Sequence, residues 1–209
     1  PRLKKICETI IRESLPFTWS CCARVDFVHK DMMKLMKQGG CWLIEYGIET
    51  GNQRIMDSMR KNVTLKQVKE TIKATADAGI VTKGNFILAN PGETHDSIMD
   101  TINLACELQL SYAQHTFLQP LPGSELYETA GRYGSFDPSW DRFNTFSINF
   151  IPHGFTRQQL IDYSKLFWRR FYLRPRIWFQ ELRKLHTQED WTRLWLALKA
   201  FVKTVLYRR

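Results

Sequence analysis

Apolar residues along this chain switch between helical spacing and short continuous runs. Over residues 2–14, Leu3, Ile6, Cys7, Ile10 and Ile11 share one helical face, and Pro16 ends the segment. Phe17 to Cys22 then reads as a strand. Residues 30–38 predict a short helix through Met32, Met33, Leu35 and Met36, closed by Gly39-Gly40. Cys41 to Tyr46 is the next strand, apolar enough to be covered on both faces. Residues 52–60 are helical. Thr64 with Gln67 marks a capping box that opens a helix running to about Ala78. Ile80 to Leu88 is a strand. Thr94 or His95 starts a helix carrying Ile98, Ile102, Ala105 and Leu108, and Ala113 to Leu118 is a strand. The order is β-α-β-α-β-α-β with connections too long for hairpins. It predicts parallel pairing and right-handed crossovers.

The pattern changes beyond residue 130. Gly134, Pro138, Pro152 and Gly154 punctuate residues 131–155, with aromatics between them, which predicts an ordered loop that packs. Residues 156–173 predict a helix through Leu160, Tyr163, Leu166, Phe167 and Phe171. Pro175 starts another. The last runs from about 189 to 207, with Trp191, Leu194, Trp195, Leu198, Phe201, Val202 and Val205 along one side. Three regions follow: a β/α unit over 1–130, an ordered loop region over 131–155, and a helical extension over 156–209.

Charge sharpens that division. The net charge is +9, yet residues 1–155 hold 17 basic and 17 acidic side chains, so the excess sits in 156–209 with its 13 basic and 4 acidic ones. That asymmetry argues for a tail with its own surface rather than a uniformly basic nucleic-acid binder. The tail has three readings: packing on the domain, lying on a membrane surface, or contacting nucleic acid. Arg169, Arg170, Arg174 and Arg176 around Phe171, Tyr172 and Trp178 suit any of them.

At 209 residues and 44% hydrophobic, the chain is long and apolar enough for one substantial domain plus an appendage, and disorder is not expected. No uncharged apolar run reaches the ~18 residues of a membrane span, and no signal peptide is evident. The chain opens Pro1-Arg2-Leu3-Lys4-Lys5 without methionine, so a fragment or processed product is expected. The five cysteines, at 7, 21, 22, 41 and 106, match no disulfide or zinc spacing. Cys7, Cys41 and Cys106 read as buried thiols, and a reducing, cytoplasmic compartment follows.

The residues that can carry chemistry sit at strand ends. Glu49, within Gly47-Ile48-Glu49-Thr50-Gly51, can accept hydrogen bonds from a ribose diol or an ammonium group, and Gly51 beside it permits close approach. A helix-capping or solvent-facing acid is the alternative. Asn90-Pro91-Gly92-Glu93-Thr94 is a turn into a helix. Thr94 can cap that helix and Glu93 suits its positive end, while Ile87-Leu88 and backbone N–H groups can hold a purine edge. No lysine follows the glycine, so it is not a phosphate loop. Arg24, near Asp26, can clamp a carboxylate in bidentate fashion or pair with a loop acid. Pro120-Leu121-Pro122-Gly123-Ser124 is a rigid turn. His29, His95, His115, His153 and His186 show no metal-site spacing. His115 alternates with Ala113 and Phe117 and is expected to face a barrel lumen.

Together these stretches resemble the radical SAM superfamily, and within it the subgroup whose members often carry an N-terminal cobalamin-binding domain. The likeness rests on Ala23-Arg24-Val25-Asp26, Tyr46 to Gly51, Met59 to Thr64, Ala78-Gly79-Ile80-Val81, Gly84 to Thr94, Gln119 to Tyr127 and Arg170 to Arg176. It covers roughly residues 15–180. It implies a partial (β/α)6 TIM-like barrel truncated to about its last four strands, with a helical C-terminal extension. It also implies S-adenosylmethionine and a [4Fe–4S] cluster as cofactors, with cobalamin as a further candidate. Reductive cleavage of S-adenosylmethionine would then serve methyl transfer or another radical modification of a small-molecule substrate, and the aromatic loop 133–155 with the basic amphipathic tail points to a hydrophobic or lipid-like one. Arg24, Glu49, Gly51, Ile87, Ala89, Asn90, Pro91 and Leu118 are the implied cofactor contacts, and His115 and Pro122 the substrate contacts.

Two departures stand out. The superfamily's Cys-x-x-x-Cys-x-x-Cys motif is absent, so the cluster ligands are expected upstream of Pro1, and this chain alone is expected to be inactive. Ala89 stands where the family usually has glycine. A flavodoxin or ferredoxin reductant is implied for the whole protein. Peripheral membrane contact through 156–209 and self-association through an exposed strand edge are also expected, and nucleic acid is not. The rival reading is a non-catalytic α/β domain that binds a nucleotide or a membrane surface. A methylthiotransferase-like, RNA-modifying member is disfavoured, because no compact all-β RNA-binding domain is evident.

Overall fold

The computed structural model describes residues 2–27, 29–144, 147–183, 185 and 187–202. Pro1, His186 and the end of the last predicted helix, Lys203 to Tyr207 with Val205, lie outside the described residues. Four strands form one parallel sheet: β1 (Trp19–Ala23), β2 (Cys41–Glu49), β3 (Val81–Leu88) and β4 (Tyr112–Phe117). Their order across the sheet is their order along the chain. When each crossover steps one strand in the same direction, a right-handed connection puts every helix on the same face. The connecting helices are α1 (Arg2–Arg12), α2 (Lys30–Gln38), α3 (Gln53–Ser58), α4 (Leu65–Asp77) and α5 (His95–Glu107). After β4 come α6 (Glu125–Thr129), the antiparallel pair β5 (Gly134–Phe136) and β6 (Phe150–Pro152), and then α7 (Arg157–Tyr172). α2 packs on β2, α4 and α5 on β3, and α7 on β4, with α2 against α4 and α5 against α7.

That helical layer buries one face of the sheet. Ile44, Tyr46 and Ile48 of β2 and Phe86 and Leu88 of β3 meet Met33, Met36, Val68, Ile72, Ile98 and Ile102. The Tyr46 hydroxyl, 2.8 Å from Thr75 Oγ1, gives its one polar atom a partner. The other face alternates with it in sequence. Glu45, Gly47 and Glu49, then Lys83, Asn85 and Ile87, then Gln114 and Thr116 are half-buried. β2 is therefore covered on one face, not two as its apolar content suggested. This one-sided, singly wound sheet is a partial α/β barrel, and the half-buried polar face is its lumen.

The region over 131–155 contains the short β5–β6 pair, so its punctuation marked turns between strands. α7 opens with a capping box between Thr156 and Gln159. Its Leu160, Phe167 and Phe171 are fully buried in the same core as the strands, and so is Ile177 of α8 (Pro175–Leu182). Of the three readings of the basic tail, packing thus holds as far as Ile177. The last described helix is α9 (Gln188–Val202).

Phe167 fixes α7 to the sheet, its ring 5.5 Å from Phe86 and 5.0 Å from His115. Phe167→Ala is expected to lower unfolding free energy by about 3–5 kcal/mol, the cost of an aromatic-sized cavity. Denaturant titration followed by circular dichroism checks this, and a loss under about 1 kcal/mol would mean that α7 docks elsewhere.

Candidate functional site

The carboxyl end of β2 is bulged. Gly47 pairs with Asn85 and Glu49 with Phe86, so the register slips between them. Glu49 takes a left-handed backbone, φ 70°, which costs a side-chain-bearing residue of order 1–2 kcal/mol. Its carboxylate folds back over Gly47, where an added Cβ would lie 2.5 Å from Glu49 Oε1. The Lys61 ammonium closes this knot. It donates to Glu49 Oε1 at 2.9 Å and also to the Gly47 carbonyl. Both side chains are largely withdrawn from water, 26% exposed for Glu49 and 11% for Lys61, so the pair keeps more of its strength than a surface pair.

Arg24 holds the loop that presents Lys61. Its guanidinium grips Asp26 through two hydrogen bonds, 3.0 and 2.9 Å, and donates to the Lys61 carbonyl at 2.9 Å. Of its two expected roles, the structure shows the pair with a loop acid. Gly51 is buried, and its close approach is to α5. A Cβ there would lie 2.4 Å from Asp100 O, and the Gly51 N–H donates to Thr101 Oγ1 at 2.9 Å.

The end of β3 carries a second strained residue. Ala89 is fully buried with φ 68°, a conformation glycine adopts freely, so the alanine is accommodated with strain. Glu93 staples the turn that follows: it accepts from the Asn90 N–H at 3.0 Å and from Asn90 Nδ2 at 3.1 Å. Asn90 Nδ2 also donates to Ile87 O at 3.0 Å, and Thr94 caps α5. Pro91 is half-buried beside them, and Ile87 lies on the lumen face. At β4, Leu118 is half-buried, tied to β3 by its N–H on Leu88 O at 2.9 Å, and Pro122 is exposed in the turn. His115 is a correction. It lies on the helix-covered face, packed among Phe117, Phe167 and Trp168 at 5.0–5.6 Å. The alternation with Ala113 and Phe117 is as read, but that side of β4 receives α7.

Sequence reading missed the residues that line the lumen and rim. On the sheet, Glu45 pairs with Lys83 at 3.0 Å and accepts from Asn85 Nδ2 at 3.4 Å. Gln119 donates to Ser147 O at 2.7 Å, which brings the segment before β6 to the β4 rim. Three carboxamides here keep buried oxygens without a hydrogen-bond partner, Asn85 Oδ1, Asn90 Oδ1 and Gln119 Oε1, and Asn149, two residues beyond Ser147, has neither its Oδ1 nor its Nδ2 partnered. Asn149 is 2% exposed. Such groups cost roughly 1–3 kcal/mol each unless something completes them, so the rim is built to receive hydrogen bonds. The every-second-residue polarity of Glu45-Gly47-Glu49 and Lys83-Asn85 was a legible signal for the lumen face. Lys61 lies in the Met59 to Thr64 stretch of the family likeness but was given no role there, and nothing local marks Asn149. Among the described residues, no group of three or more His, Cys, Asp or Glu side chains is placed to hold a metal ion.

Burial pushes the Glu93 carboxyl up to about 7, and the hydrogen bonds from Asn90 and Ala89 only partly oppose it. A carboxyl whose folded pKa is raised stabilises the fold below its unfolded value near 4.5, and that contribution is lost as pH rises through about 7. Relative to Glu93→Gln, the wild-type chain should therefore lose up to about 3 kcal/mol between these limits. Unfolding curves of both proteins across that range check this, and a pH-independent difference would exclude it.

The comparisons with known proteins agree with this fold. The family model for the radical SAM superfamily matches residues 1–105, half of the chain. An uncharacterized methyltransferase of Pyrococcus horikoshii is 30% identical over 85% of this chain and 39% of its own length. The anaerobic magnesium-protoporphyrin IX monomethyl ester cyclase of Rubrivivax gelatinosus is 27% identical over 98% of this chain and 37% of its own. The chain thus spans less than two fifths of these curated relatives. Among solved structures, the radical S-adenosylmethionine methyltransferase TsrM from Kitasatospora setae, with tryptophan substrate and a SAM analog bound, superposes with a TM-score of 0.56. That match has 14% identity and covers 82% of this chain and 40% of that one. The chain belongs to the radical SAM superfamily.

Proposed function

We propose that this chain is the S-adenosylmethionine-cradling part of a radical SAM enzyme, and that its cluster ligands come from sequence outside these 209 residues. The observation that carries the reading is the Glu49–Lys61 pair at the carboxyl rim of the lumen, 2.9 Å apart and mostly shielded. One shielded carboxylate beside one shielded ammonium is complementary to the ammonium and carboxylate of an α-amino acid. The β2 and β4 ends are about 10 Å apart, two strand spacings, a distance that an aminoacyl nucleoside can bridge. Asn90, Gln119 and Asn149 then meet the base with their unpartnered amide atoms. An asparagine carboxamide presents a donor and an acceptor side by side, the pattern that pairs with the adenine N6 and N7 edge. Ile87, Ala89, Pro91 and Leu118 border its faces, and Arg24 keeps the Lys61 loop in place.

When bound, S-adenosylmethionine supplies an activated methyl group and, on one-electron reduction, hydrogen-abstracting radical chemistry. A flavodoxin or ferredoxin is the proposed electron source for the whole protein. The methyltransferase names among its relatives favour methyl transfer, and cobalamin is the proposed intermediate methyl carrier. The substrate proposed is a small molecule with an apolar body, meeting exposed Phe27, Leu121 and Trp140, and with polar groups directed to Glu45, Lys83 and Gln114.

Calorimetric titration of the anaerobically purified full-length protein with S-adenosylhomocysteine tests the reading. Glu49→Gln and Lys61→Met should each weaken binding by about tenfold or more, the loss of one charge-assisted hydrogen bond. Retained affinity in both variants would exclude this cradle, and no binding by the wild type would favour a non-catalytic domain. Asn149→Leu should cut the preference for S-adenosylhomocysteine over its inosine counterpart by about tenfold, because the adenine ligand loses the larger share of its hydrogen bonds. An unchanged preference would remove Asn149 from the base site.

A further inference from the structure

The carboxamide and ion-pair rim lies at one end of the strands, and the exposed apolar surface of the helical tail begins from the other. The Tyr172 hydroxyl donates to Ala113 O at 2.8 Å and accepts from the Ala113 N–H at 3.3 Å, so α7 finishes beside the amino end of β4. Tyr112 donates to Glu181 Oε1 at 3.3 Å, which keeps α8 at that same end. There α8 turns Phe179 (65% exposed) and Leu182 to solvent. α9 follows, with Trp191 (59%), Trp195 (57%), Leu196 and Val202 exposed. Trp191, Trp195 and Val202 recur at helical spacing, in line with half-buried Leu194 and Leu198. Arg193 and Lys199 flank the stripe, and the Lys199 ammonium lies over the Trp195 ring at 5.0 Å.

We propose that α8 and α9 dock this protein on an anionic lipid bilayer, lying in the interface plane. Three observations select that occupant. First, no described helix is long and apolar enough to cross a membrane, so contact through this stripe is with one leaflet. Second, the aromatic members are tryptophans, whose apolar ring and polar N–H suit the boundary between headgroups and acyl chains. Third, the charge is complementary: residues 173–209 carry nine Lys and Arg against three Asp and Glu. A nucleic-acid partner is favoured less, because the exposed aromatics form a helical stripe rather than a groove that tracks a backbone. The inference is independent of the chemistry at the Glu49–Lys61 rim.

Co-sedimentation of the full-length protein with phosphatidylcholine vesicles, with and without phosphatidylglycerol, tests it. The wild type should pellet with the anionic vesicles, more weakly with neutral ones, and less as salt is raised. Trp191→Ser with Trp195→Ser should weaken binding by at least about tenfold, because two interfacial rings are lost. Arg193→Glu with Lys199→Glu should remove the preference for anionic lipid. These side chains are exposed, so all variants are expected to keep wild-type circular dichroism. A wild type that stays in the supernatant with both vesicles would overturn the proposal. So would a tryptophan double variant that pellets unchanged, or binding to a single-stranded oligonucleotide with none to vesicles.

Discussion

Handedness governs this molecule. Because β1 to β4 are adjacent in space in the order they occur in sequence, every right-handed crossover lands on the same side. The helices therefore compete for one face of the sheet and build one core there, which α7 completes with Phe167 and Phe171. Among the described residues no helix packs closely on the opposite face, so it can hold Glu45, Lys83, Asn85 and Gln114 half-buried outside the apolar core. A doubly wound sheet from the same strands would have covered both faces. The polar lumen and the site at its rim are thus consequences of strand order.

The rim concentrates the departures from low-energy structure. Glu49 and Ala89 are left-handed at the ends of neighbouring strands, a bulge shifts register between them, and the amide oxygens of Asn85, Asn90 and Gln119 lack hydrogen-bond partners. Strain and unsatisfied groups persist only where surrounding packing over-determines them, and they gather where a ligand repays the cost. Gly47 and Gly51 divide the work. The first leaves room for the Glu49 carboxylate to fold back, and the second lets α5 approach the strand end. Arg24, bound to Asp26 and to the Lys61 carbonyl, ties the loop after β1 to the loop that supplies the ammonium.

The two ends of the strands differ in kind. One presents shielded charges and amides suited to a small polar ligand. From the other emerge helices whose exposed tryptophans and basic residues suit an extended surface. Tyr172 on Ala113 and Tyr112 on Glu181 set that polarity, because they fix where the chain leaves the core.

By itself the sequence determined the order of the four parallel strands and of the longer helices, but not α6 or the short β5–β6 pair. Apolar spacing, Pro16, the Thr64–Gln67 box and the glycines at helix ends depend on neighbours a few residues away, and such signals survive in one dimension. Parallel pairing followed from connection length, and Glu49, Asn90 and Ala89 were legible because each closes an apolar strand. Which side of β4 meets the helical layer shows only once the strands are ordered and α7 packs on them, through contacts between residues about fifty positions apart, so His115 was read onto the wrong side. Lys61 reaches Glu49 across twelve residues and Gln119 reaches the Ser147 carbonyl across twenty-eight. Local periodicity carries no trace of such meetings, because only the closed tertiary structure brings the partners within hydrogen-bond range.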